Sequence, residues 1–149
     1  MIIQGDARFI AENEFRPKIQ KALDLLQKKA GSDYLLVTTV VEKIRAAGKT
    51  GAVAADAFID ISRPTFACSL TWLASVLVHE SFHLAQCMSG KPYVGKNAEG
   101  EANITQLYTL RSIGAPGNEI AYMLAQNGKH FDLDGDGKYT QKDYDLRNY

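Results

Sequence analysis

His79, Glu80 and His83 stand in the order H-E-x-x-H, within the run HESFH. On a helix, residues i and i+4 share a face, one above the other, so both imidazoles of such a motif can address a single point. Zinc accepts imidazole nitrogen at about 2.0–2.1 Å. Glu80 lies at the edge of the same face, where it can take a proton from an attacking water without holding the ion itself, which is the position of a general base. A lone histidine on an apolar helix is more often a satisfied core residue. Here the chain has three histidines, and two of them fall in this one motif. Two imidazoles and a carboxylate inside an apolar segment are costly to bury without partners, and a metal would serve them.

A catalytic zinc needs a third protein ligand and one open position. The extended pattern H-E-x-x-H-x-x-G-x-x-H is absent, because Gln86 stands where its glycine belongs and no histidine follows. His130 is remote in sequence and adjoins a second acidic cluster. The stretch AEGEAN supplies two carboxylates, Glu99 and Glu101. At helical spacing Glu99 falls on the stripe of Asn103, Leu107, Leu110 and Ile113, which must face the core. Glu101 falls with Thr105, Tyr108 and Ser112 on a more polar stripe. The periodicity therefore favours Glu99 as the third ligand, with Glu101 as the alternative. Asn103, one turn beyond Glu99, is placed to orient a ligand histidine from outside.

HESFH followed by EGEAN resembles the glutamate-zincin metallopeptidases, whose pattern is H-E-x-x-H and then E-x-x-A-[DN] on a following helix. The likeness spans roughly residues 57 to 113. It implies zinc held by His79, His83 and Glu99, with Glu80 as the base of peptide-bond hydrolysis. It also implies an upstream strand that lines the substrate cleft, a part open to AFIDIS. Asn103 stands where the family more often has aspartate. Compact zincin domains of this sort also occur as toxin ends of bacterial polymorphic effectors. An oxyanion-stabilising donor is expected, with Tyr93, Tyr108, Tyr122 and His130 as candidates.

Near the C-terminus, residues 132 to 143 read DLDGDGKYTQKD. Asp132, Asp134 and Asp136 occupy positions 1, 3 and 5 of a calcium loop, and Gly137 occupies the turn position 6. Lys138 offers its backbone carbonyl at 7, Thr140 stands at 9 and Asp143 at 12. The pattern resembles an EF-hand or dockerin-type loop. Aspartate in place of the usual glutamate at 12 shortens the reach, which weakens calcium binding or favours magnesium-like geometry. A single such loop reads as a structural site that pins the tail, not as a switch.

The elements that must position these groups are mostly helical. Pro17 suits the first position of a helix over 17–30, with Ile19, Leu23, Leu26 and Ala30 as its stripe. Ser32 or Asp33 caps a second helix that reaches Ala47 and turns Leu36, Val40, Ile44 and Ala47 inward, although the β-branched VTTVV run also suits a strand. In AFIDIS, Phe58 and Asp60 alternate with Ile59 and Ile61, as in a strand of a two- or three-stranded sheet. The segment from Thr65 or Ser69 to Ser89 is apolar on nearly every side and reads as the central buried helix. Further helices are expected over 98–113, capped by Asn97, over 118–127, and in a short turn over 142–148. The expected fold is α+β: a single, mostly helical, minimal zincin-like domain over 1–149 with a C-terminal EF-hand-like loop.

Length and composition agree with that frame. The chain has 149 residues, 46% of them hydrophobic and 23% charged, with a formal net charge of zero. That balance lacks the basic footprint of a nucleic-acid binder. The longest apolar run, Leu70 to Val78, is too short to span a bilayer. Asp6, Arg8, Glu12 and Glu14 break up any N-terminal signal segment, so the cytoplasm is the default location, with leaderless export or effector release also compatible. Cys68 and Cys87, placed at opposite ends of one helix roughly 28 Å long, are expected to be free packing thiols. The function expected is zinc-dependent hydrolysis of a protein or peptide. The alternatives are a non-catalytic, calcium-stabilised interaction module with a structural metal site, and a zinc amidase acting on cell-wall crosslinks.

Overall fold

The computed structural model describes residues 1–126, 132–138 and 140–146. The fold is α+β. Its elements run β1 (Ile2–Gln4), α1 (Glu12–Lys29), α2 (Gly31–Val40), β2 (Lys43–Ala46), β3 (Gly51–Val53), a 3₁₀ turn (Ala54–Asp56), β4 (Phe58–Ile61), α3 (Arg63–Ala67), α4 (Leu70–Met88), α5 (Lys96–Ile113), α6 (Gly117–Ala125) and α7 (Gln141–Leu146).

The sheet has four strands in the order β1-β2-β4-β3, with β1, β2 and β4 parallel and β3 antiparallel to β4. The alternation in β4 is as expected: Ile59 and Ile61 are buried, and Phe58 and Asp60 face outward. Strand β2 repeats it, with Ile44 and Ala46 buried. The register sets Arg45 opposite Asp60, and their side chains pair at 2.5 Å on the outer face.

Several expectations are corrected here. The sheet has four strands where two or three were expected. The predicted second helix stops at Val40, and Ile44 belongs to β2 rather than to a helix face. The β-branched run stays helical as far as Val40, and the strand begins beyond it, where Ile44 is buried between two parallel neighbours. Neither Ser32 nor Asp33 caps α2; both lie inside its first turn, and Asp33 accepts a hydrogen bond from Thr109 at 2.8 Å. Helix α1 begins five residues before Pro17 and leaves it inside the helix. Glu12 and Glu14, read only as breaks in a signal segment, fall in its first turn, where the helix dipole favours negative charge. Of the two starts open to the central helix, Ser69 is the one found: it caps α4 by accepting a hydrogen bond from the Trp72 amide at 3.0 Å. Cys68 therefore precedes α4 and is exposed instead of packed, while Cys87 is partly buried; both are free.

Helix α4 is the innermost element, packed against α1, α2, α5 and the sheet. Leu73, Ala74, Leu77, Val78 and Leu84 are buried on it from several sides, so no single apolar stripe exists. Each fully buried leucine contributes about 1.5–3 kcal/mol of hydrophobic stabilisation. Helix α5 starts from Gly95 without the Asn97 cap, and Gly114 closes it in the left-handed conformation at φ 75°. Among the described residues, no helix is long and apolar enough to cross a membrane.

Candidate metal centre

Helices α4 and α5 lie side by side, and their contact places the predicted ligands. His79 and His83, one turn apart on α4, aim their rings at α5; Glu99, in the first turn of α5, aims back. All three are buried, with 7%, 5% and 7% of their surface exposed. The two Nε2 atoms are 3.1 Å apart, and Glu99 Oε2 lies 3.4 Å from His79 Nε2 and 3.5 Å from His83 Nε2. An ion holding tetrahedral ligands at 2.0–2.1 Å separates them by about 3.3–3.4 Å. The three atoms thus already form one face of a zinc-sized tetrahedron. The donor set, two imidazoles and one carboxylate, also suits zinc.

Electrostatics agree with this crowding. Burial disfavours a charged His83 imidazole, but hydrogen bonding to Glu99 and the nearby Glu80 carboxylate outweigh it and hold its pKa above the ordinary histidine value.

Behind His83, Nδ1 donates to Gln86 Oε1 at 3.0 Å, and Gln86 Nε2 donates to Glu101 Oε2 at 2.9 Å. Glu101, the alternative third ligand, is exposed and faces this outer chain, not the centre. Asn103, expected behind a histidine, is buried, and its Nδ2 makes no hydrogen bond. The supporting amide that the sequence reading missed is Gln86. Its signal was available: it lies three residues after His83 and so shares that helix face.

A cavity of about 450 Å³ opens beside the centre, with His79, Glu80, Asn103 and Gln106 on its polar side. Trp72, Val76 and Met123 form much of its apolar side. The far wall is α6, held by Glu119, which accepts hydrogen bonds from Ser69 Oγ and, at 2.7 Å, from Thr71 Oγ1 at the start of α4. Tyr122 meets the Trp72 ring edge-on, with centroids 5.4 Å apart. Of the oxyanion candidates, Tyr122 lines the cavity and Tyr93 and Tyr108 do not; His130 lies outside the described residues.

The strand expected to line a cleft is also relocated. β4 is hydrogen-bonded on both sides, so it has no free edge. The edge strand next to α4 is β3, and Thr50 just before it reaches the cavity wall. Thr50 is fixed there by Thr65 Oγ1 at 2.7 Å and the Ser62 amide at 3.0 Å.

In the Asp-rich loop, carboxylate oxygens of Asp132, Asp134 and Asp136 gather within 4.8 Å of one another. Asp132 also accepts from the Gly137 amide at 2.9 Å. Asp143 does not join them. It is fully buried, and its two oxygens accept from the amides of Leu133, Asp134 and Thr140 and from the Thr140 hydroxyl. Four donors fill a carboxylate's acceptor sites, so the predicted ligand at position 12 serves as an anchor for the loop instead. Burial opposes its charge, but these donors prevail and keep its pKa below the usual value. Lys142 pairs with Asp134 at 2.9 Å. Lys138 is exposed, and Thr140 is spent on Asp143.

Comparison of the chain with family models, with curated proteins and with solved structures gave no match.

Proposed function

We propose that this protein is a zinc-dependent hydrolase of peptide bonds, with His79, His83 and Glu99 holding the ion. One observation carries the reading: the three ligand atoms stand at 3.1, 3.4 and 3.5 Å, the face of a tetrahedron about a zinc-sized point, beside a cavity that includes Glu80. Zinc there supplies a Lewis acid that polarises a carbonyl and eases deprotonation of water. Glu80 accepts the water's proton and returns it to the leaving amine. The cavity receives the substrate, and β3 offers an unpaired edge along which an extended peptide can lie.

A closed structural site is the second reading, favoured by the deep burial of all three ligands. Elemental analysis combined with Glu80→Gln separates the two. The peptidase reading expects stoichiometric zinc in both proteins and hydrolysis only in the wild type. Full zinc with no hydrolysis of any substrate in a panel of proteins, peptides and peptidoglycan supports the structural site. Cleavage confined to peptidoglycan crosslinks supports an amidase.

For the Asp-rich loop we propose a structural calcium or magnesium site built on Asp132, Asp134 and Asp136. Leu133, within that loop, lines the same cavity, so a cation there would steady one wall of the cleft.

A further inference from the structure

The outer hydrogen bonds of His83 have a directional logic. A carboxylate only accepts, so Glu101 Oε2 requires the amide N–H₂ of Gln86 to face it. That turns Gln86 Oε1 toward His83. A carbonyl oxygen also only accepts, so Nδ1 of His83 must carry the hydrogen. In the neutral ring the lone pair is then on Nε2, the atom facing His79 and Glu99. An exposed charge thereby favours, through one buried amide, the tautomer that leaves Nε2 open to a cation, against the pull of the Glu99 carboxylate on the same nitrogen.

We infer that Glu101 and Gln86 are positioning residues that set the His83 tautomer required for metal binding. The inference rests on the metal-site reading above and adds two residues to it. Without the negative charge at 101, the Gln86 amide can turn over and present N–H₂ to Nδ1. The opposite tautomer is then favoured, with Nε2 protonated and closed to an ion. Outer partners of this kind typically change metal affinity by about 10- to 100-fold.

The first measurement uses metal-free protein with ¹⁵N-labelled histidine, at a pH above the His83 titration, so that it depends on neither zinc nor hydrolysis. The wild type should show the Nδ1–H form of His83. Glu101→Gln should shift the ring toward Nε2–H with no loss of thermal stability, because the site is exposed. Zinc affinity, read by competition with a chelator, should fall about 10- to 100-fold in Glu101→Gln and in Gln86→Leu. The exchanged pair Gln86→Glu with Glu101→Gln keeps the net charge and keeps an acceptor oxygen facing Nδ1, while the hydrogen bond between positions 86 and 101 runs the other way; it should restore both the tautomer and the affinity. An unchanged tautomer in Glu101→Gln overturns the inference. So does loss of zinc in Glu101→Gln with none in Gln86→Leu, which would make Glu101 a direct ligand. If the tautomer follows the relay while the wild type takes up no zinc, the relay stands and the hydrolase reading falls.

Discussion

At the contact of α4 and α5, two imidazoles and a carboxylate point at one another across 3.1 to 3.5 Å. In the Asp-rich loop the carboxylates turn back on their own backbone: Asp132 to Gly137, Asp136 to Lys138, and Asp143 to three amides at once. The difference lies in what carries the side chains. Two rigid helices hold their groups in place whether or not those groups suit each other, so convergence can be built in before a ligand arrives. A loop whose amides are in reach satisfies its own acids first. A cation at the helices would meet a prepared site; one at the loop would have to compete with amides and with Lys142.

The largest effect expected from breaking this contrast is at Glu99. Glu99→Ala should lower zinc affinity by more than about 100-fold, beyond what an outer partner costs, while Asp136→Asn should leave zinc content unchanged. A zinc-replete Glu99→Ala protein would remove the third ligand from the scheme.

Acidity should sharpen the contrast, because the two regions respond with opposite signs. The raised pKa of His83 means that its charged form stabilises the metal-free protein below the unfolded histidine pKa, an advantage lost as pH rises through the folded value. Zinc competes with that proton. The zinc-induced rise in Tm should therefore be larger at about pH 8 than at about pH 6. The depressed pKa values of Asp134 and Asp143 act the other way: their contribution is present above the unfolded carboxyl value and is lost as pH falls through the folded ones. Tm measured from neutral to acidic pH, with and without zinc, checks both signs.

A smaller effect is expected at Asp143. Asp143→Asn removes the charge and replaces one acceptor oxygen with a donor facing donor amides. It should lower Tm by a few degrees and loosen the loop, whereas Asp136→Asn, on an exposed carboxylate, should barely move it. Equal effects would show that Asp143 is no anchor. The smallest change is Lys142→Met, which frees Asp134 from an ion pair whose lysine end is exposed. Calcium binding to the loop should strengthen a few-fold, as seen by calorimetry, because exposed pairs are worth at most about 1 kcal/mol.

Local chemistry alone determined the parts of this protein that repeat at short spacing. The H-E-x-x-H face, the inward placement of Glu99 rather than Glu101, the alternation in β4 and the existence of α4, α5 and α6 are all set within a few residues of chain, where helix and strand periods act directly. Tertiary structure decided the rest. Ile44 became a strand residue because two parallel neighbours were there to pair with it. β1 is three residues long and has no pattern to show. Gln86 came to bridge His83 and Glu101 only when α5 brought Glu101 within reach of its amide, and Asp143 came to anchor the loop only when folding surrounded it with N–H groups. Each of these depends on which distant group comes to face a side chain, and such pairings are set by packing and not by spacing along the chain.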